Sequence, residues 1–185
     1  ANQDYFWDMS VENFKTAVNT LKDFQGVVVI IGGNPCMHPK FDEISKIFSE
    51  VRPNKQKRGL WTNNFFKHEK ISTETYGVFN LNTHGDNRST KSLKNFELKG
   101  GYHPDHSHHA PILTAIKDLY EDKRKMWARI SKCDVNHNWS ASIVQNKGKL
   151  RAYFCEVAAS FDLARGTDNG FEVNDGWWQK KIIDY

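Results

Sequence analysis

Gly32, Gly33, Asn34 and Pro35 are the residues whose types and order point most directly to chemistry. They follow Val27 to Ile31, five β-branched residues in a row. An apolar run that stops at two glycines is expected to be a buried parallel strand with its carboxyl end opening into a tight turn. In α/β folds ligands bind at such ends. A glycine there lets a ligand reach the main chain, because no Cβ stands in the way. Two further strand ends are also polar: Thr62-Asn63-Asn64 and Thr83-His84-Gly85. A denser imidazole group follows, with His103, His106, His108 and His109 beside Asp105. Such a group could hold zinc or another divalent ion. It could also exchange protons near neutral pH. Its irregular spacing favours a plain polar loop.

The elements that position these residues are readable from periodicity. Ser10 is a suitable N-cap, with Glu12 in the first turn. Val11, Phe14, Val18 and Leu21 then share a helical face, and Gly26 is expected to end that helix. Pro39 suits the start of a second helix with a stripe of Phe41, Ile44, Phe48 and Val51, stopped by Pro53. Short strands are expected at Leu60-Trp61 and at Val78 to Leu81, with a connection between them. This alternation implies parallel strands with right-handed crossovers. It fits part of a barrel or an open doubly wound sheet. Either would gather Gly32–Asn34, Thr62–Asn64 and Thr83–Gly85 on one rim.

Beyond Asp86 the chain is polar and irregular to about Pro111. A helix is then expected to run to Ile130 with a break. Ser140 to Val144 and Leu150 to Phe154 alternate as strands around the turn Gln145-Asn146-Lys147-Gly148, a hairpin pattern. Glu156 to Ala164 reads as a short helix closed by Gly166. The expected organisation is a first domain over residues 1–130 and an extension over 131–185.

Composition narrows the classes. With 185 residues, 38% of them hydrophobic, there is material for one globular core but not for two large domains. A net charge of +4 is too mild for a nucleic-acid protein, and the one compact basic run, Lys55, Lys57 and Arg58, reads as a solvated loop. No stretch approaches the ~20 apolar residues of a membrane span. No signal peptide is recognisable at the start, and three dispersed cysteines do not make a disulfide scaffold. A reducing, cytoplasmic setting is expected, with neither nucleic acid nor membrane as partner. The chain starts at Ala1 rather than methionine, so a fragment of a longer protein is expected. A partial barrel would leave an edge strand unpaired, and poor solubility or dimerisation would follow.

The segment IGGNPCMHPKFDEI resembles the second-strand motif of radical S-adenosylmethionine (SAM) enzymes, commonly GGEP followed by HP and an aromatic. GLWTNNF resembles the family's next strand. The likeness covers about Ser10 to Gly85. It implies a partial (β/α) barrel with a carboxyl-terminal hairpin extension. It also implies SAM and a [4Fe–4S] cluster as cofactors, a 5′-deoxyadenosyl radical that abstracts hydrogen, and an electron donor such as flavodoxin or ferredoxin. Carried over, Gly32, Gly33, Asn34 and Pro35 would cradle the SAM methionine, with Thr62, Asn63 and His84 on the same rim. The substrate, small molecule or peptide, is not legible.

Two features depart from the family. Asn34 stands where a glutamate is usual, so its oxygen accepts without a charge, and charge-assisted bonds are roughly twice as strong as neutral ones. The CxxxCxxC run that holds the cluster is missing: Cys36, Cys133 and Cys155 are far apart. Its place in the family is before the first helix, so the cluster strand is expected upstream and this fragment alone is expected to be inactive. Cys36 reads as a small buried hydrophobe. Cys133 and Cys155 bracket the hairpin, as in family extensions that carry an auxiliary cluster or metal. Two thiolates, even with His137, fall short of about four ligands, so a metal site and a reduced pair stand equal. Two other classes compete with the radical enzyme. One is a metal-dependent hydrolase using the His103–His109 segment and His84 to activate water. The other is a degenerate, non-catalytic radical SAM fold.

Overall fold

Ser10 begins the first element as expected. Its hydroxyl accepts from the Asn13 N–H at 3.2 Å and caps α1, Val11–Thr20. The computed structural model describes residues 8–63, 65–82, 102–103, 116–132 and 141–179. Two compact units divide between residues 109 and 110 rather than at 130. Residues 116–132 therefore fall in the same unit as residues 141–179.

In the first unit α1 stops at Thr20 and does not run to Gly26. The Thr20 hydroxyl bonds back to the Ala17 carbonyl at 2.7 Å, and Arg52 holds the carbonyls of Leu21, Phe24 and Gly26 in the segment that follows. Gly26 serves packing instead: a Cβ there would sit 2.6 Å from the Phe24 ring. β1, Val28–Ile30, leads through a short 3-10 turn at Pro35–Met37 to α2, Phe41–Val51. β2 is Arg58–Thr62 and β3 is Val78–Asn82. The expected connection between them holds a helix, α3, Glu69–Thr75. Its seven residues, EKISTET, carry one large apolar side chain, so periodicity gives no signal. β4 is the two-residue strand Tyr102–His103.

The strands are parallel in the order β1-β2-β3-β4, with β1 to β3 as the main part and β4 as a short addition. Among the described residues the sheet stays open and no barrel closes. Leu60, Phe79 and Leu81 turn to the helical side, where Phe14, Phe41, Phe48 and Tyr76 complete the core. Phe14 meets Phe48 edge-on at 6.0 Å, Tyr76 meets Phe79 edge-on at 6.3 Å, and Phe41 stacks on Tyr76 at 6.2 Å. The Tyr76 hydroxyl keeps a partner, Ser45 Oγ at 2.9 Å. Side chains alternate along a strand. Val29, Trp61 and Asn80 therefore point to the opposite face, where Trp61 is exposed. β1 is thus a half-buried edge strand rather than the buried one expected, with Val27 and Ile31 both exposed.

In the second unit α4, Ile116–Leu119, is followed by the expected break and by α5, Lys123–Ile130, which Asp122 caps. β5, Ser142–Asn146, and β6, Lys149–Tyr153, form the hairpin, and β7, Phe171–Glu172, adds a third antiparallel strand. The turn is the pair Lys147-Gly148, both at positive φ (49° and 79°), so the ladder runs further than expected into the segment read as turn. Paired positive φ matches the right-handed twist of the strands. α6, Glu156–Arg165, ends on Gly166 at φ 65°, as its sequence predicts. Among the described residues no helix is long and apolar enough to cross a membrane.

Candidate functional site

The carboxyl ends of β1 and β2 lie side by side, because Ile30 and Leu60 are register partners. That pairing brings the Gly32–Pro35 turn to Thr62. Thr62 Oγ1 donates to Asn34 Oδ1 at 2.6 Å, and the Cys36 N–H donates to the same oxygen at 3.2 Å. Asn34 is thereby the N-cap of the Pro35–Met37 turn. An amide oxygen has two lone pairs, and both are used inside the protein. Asn34 therefore holds the turn, whereas the sequence reading gave its oxygen to a ligand ammonium. Pro35 is buried as the first residue of the turn. Asn63 is half-buried just past β2.

Gly32 and Gly33 stand differently. Both are exposed, neither has positive φ, and a Cβ built on either would find no atom of the described residues within 4 Å. Neither backbone conformation nor packing requires glycine there. On the sheet face away from α1, α2 and α3, Asn80 is in register with Trp61, and among the described residues its buried Oδ1 has no hydrogen-bond partner. Sequence reasoning did not single Asn80 out; a polar residue inside the apolar run VFNL was its only signal.

The other predicted residues divide. His38 is structural: Nδ1 accepts from the Lys40 N–H at 3.0 Å, so Nε2 carries the proton it shares with the Met9 carbonyl at 2.9 Å. That bond ties the turn to the start of α1. Cys36 is buried as expected; desolvation pushes its thiol pKa up, and the hydroxyls of Thr62 and Ser72 oppose the rise. Cys155 caps α6, its sulfur accepting from the Ala158 N–H at 3.4 Å. His84, Asp105, His106, His108, His109, Cys133 and His137 lie outside the described residues. Of His103 only the main chain is described, in β4 beside Asn82. Among the described residues no group of three or more His, Cys, Asp or Glu side chains is placed to hold a metal.

Sequence reasoning missed two polar centres. Arg58, expected in a solvated loop, is buried at the start of β2. It donates to the carbonyls of Thr75 (2.6 Å), Pro53 (2.9 Å) and Arg52. Arg52 is equally buried and holds the three carbonyls after α1. Burial pulls both guanidinium pKa values down, and Arg58 adds to the effect on Arg52. In the second unit Asp162 is buried among donors: Tyr153 OH at 2.6 Å, the Asn169 N–H at 2.8 Å, Asn169 Nδ2 at 2.6 Å and the Thr167 hydroxyl. Burial alone would raise its pKa. The bonds from Thr167, Tyr153 and Asn169 outweigh that and hold it at about 2. Tyr153, desolvated and bound to this carboxylate, is pushed up to about 12. Because hydroxyl and amide donors fill the carboxylate, Asp162 is an anchor rather than a cation ligand.

The thiolates a [4Fe–4S] cluster needs are not met by the described residues. Cys36 is buried under the rim, and Cys155 caps a helix in the other unit. The Asn34 oxygen is taken by Thr62 and Cys36, whereas the Gly32–Gly33 turn is exposed. No family model matches the chain, and neither a curated protein nor a solved structure matches it.

Proposed function

We propose that the first unit is an arc of a radical SAM barrel and that the carboxyl end of β1 receives the methionine part of SAM. The observation that carries this reading is the pair Gly32-Gly33, open to solvent and unexplained by φ or by packing. Close approach of a ligand to the main chain accounts for two side chains being absent where the protein has room for them. The strand order supports it too: β1-β2-β3-β4 runs without the reversal that marks a doubly wound sheet.

On this reading Asn34, Thr62 and Pro35 shape the turn, and main-chain groups at Gly32 and Gly33 hold the ligand's amino-acid end. Asn80 offers an acceptor to whatever lies over Trp61, and Asn63 follows β2 on the same rim. With a reduced cluster beside it, bound SAM supplies a radical that abstracts hydrogen from a substrate. The cluster's thiolates are not among the described residues, and an electron donor would serve the cluster.

Equilibrium dialysis of SAM against the chain tests the proposal. Saturable binding is expected, weakened about tenfold or more by Gly32→Val or Gly33→Val, a loss of about 1.4 kcal/mol. Circular dichroism and thermal midpoint should not change, because the added side chains meet open space. No binding, or binding indifferent to both substitutions, overturns it.

A further inference from the structure

We propose that α5 binds single-stranded nucleic acid, its cations on the phosphates and Trp127 stacked on a base. The run read from sequence as the compact basic one is spent inside the first unit: Arg58 is buried, and Lys55 and Lys57 donate to the main-chain carbonyls of Thr73 and Gln25. The exposed basic run lies in the second unit. Lys123 to Lys132, KRKMWARISK, holds five cations and no acidic residue. Lys123, Arg124, Lys125, Arg129 and Lys132 are all exposed. Among the described residues only Arg124 of these has a carboxylate within reach, that of Asp122 at 4.0 Å. A stripe of cations along one helix is an electrostatic footprint for phosphates, whatever the net charge of the whole chain.

Trp127 decides the occupant. Its ring is 61% exposed in the midst of these cations. On a helix the side chains three and four positions away are its neighbours, here Lys123, Arg124, Ile130 and Ser131. Met126 and Ile130 are half-buried and mark the inner side of α5. Lys123, Arg124 and Ser131 border the ring on the open side, and all three are exposed. A helix that lies in a membrane surface or fills a protein groove carries a continuous apolar face. α5 instead exposes one ring among charges. Single strands call for that combination, because cations track the backbone while an aromatic ring stacks on a base of any identity. The contact concerns the second unit and does not depend on what the Gly32–Gly33 turn binds.

Fluorescence anisotropy of a labelled oligouridylate, titrated with the chain between about 50 and 200 mM salt, is the test. Affinity should fall with salt on a logarithmic slope of about −3 to −4, since each of about five phosphate contacts to a single strand contributes about −0.7. Lys123→Ala with Lys125→Ala should weaken binding and flatten that slope by about 1.4. Trp127→Ala should weaken binding about tenfold, and Trp127→Phe, which keeps a ring, by less. The far-ultraviolet spectrum should not change, because all three side chains are exposed. Should a variant lose that spectrum, hydroxyl-radical labelling of the unaltered chain decides: the oligonucleotide should protect Trp127. No binding overturns the proposal, as does binding that ignores these substitutions or leaves Trp127 unprotected. Displacement of the oligonucleotide by phosphatidylserine vesicles or by polyglutamate at equal charge overturns it as well, by assigning α5 to a lipid surface or to an acidic protein.

Discussion

The two units bury charge of opposite sign and solve the problem in the same way. In the first, Arg52 and Arg58 are 4% exposed and hydrogen-bonded to main-chain carbonyls. In the second, Asp162 is 5% exposed and surrounded by hydroxyl and amide donors. An isolated buried charge is costly unless hydrogen bonds replace its water. Here the replacements are protein dipoles. The carbonyls of Leu21, Arg52 and Thr75 among these lie at the ends of α1, α2 and α3, where helix dipoles end negative. The loop after α6, with Tyr153 of β6, supplies the donors to Asp162. Both centres tie segments together where helices end, while the open Gly32–Gly33 turn lies at the carboxyl end of β1. Anchorage and candidate chemistry occupy different places.

The largest expected effect comes from breaking the cationic centre. Arg58→Met should cost about 3 kcal/mol or more, because it takes this donor from the buried bonds to Thr75 and Arg52 and from the part-buried one to Pro53. Arg58→Lys should recover only part, since one ammonium lacks the planar fork that spans several acceptors. Urea unfolding of the two variants measures both.

Breaking the anionic centre should cost less. Asp162→Asn turns one acceptor into a donor facing donors, at about 2 kcal/mol. The pH dependence has a definite sign. The folded pKa, about 2, lies below the ordinary carboxylate value of 3.8. The Asp162 contribution is therefore fully present above pH 4 and is lost as pH falls toward 2. A thermal midpoint that drops over this window in the parent chain, and less in Asp162→Asn, is the expected record.

The smallest effects contrast the rim with the anchor through two glycines. Gly33→Ala should be neutral or stabilising by about 0.4–1 kcal/mol, through the unfolded state. Gly170→Ala should destabilise, because its Cβ would lie 2.5 Å from the Tyr153 ring. Equal and opposite shifts would sharpen the difference between a turn with room and an anchor without it; equal losses would remove it.

Much of the local architecture was legible. Ser10, Gly166 and the hairpin glycine Gly148 act where capping and turn chemistry put them, because those signals are satisfied within a few residues. The stripe of Phe41, Ile44 and Phe48 packs as its spacing predicts. α3 was not legible, because its helical face buries Ser72 and Thr75 rather than an apolar stripe. Arg58 misled for a related reason: a basic side chain in a basic run reads as solvated until its acceptors, 17 residues away at Thr75 and nearby at Arg52 and Pro53, are known.

The candidate site shows the same division. The order of strand, glycines and following helix is a local pattern, and it located the turn and made its glycines conspicuous. Which atoms of that turn are still available is a long-range question. Thr62 lies 28 residues from Asn34, and only the parallel pairing of β1 with β2 lets its hydroxyl take the Asn34 oxygen. The sequence by itself determined the alternation of elements, the caps and the place of the strand-end turn, since each depends on side-chain spacing along one segment. Only the tertiary structure decided that Asn34 is spent on the protein, that the two glycines are not, and that two arginines and an aspartate anchor the units, because hydrogen-bond partners are assigned by contacts between segments distant in the chain.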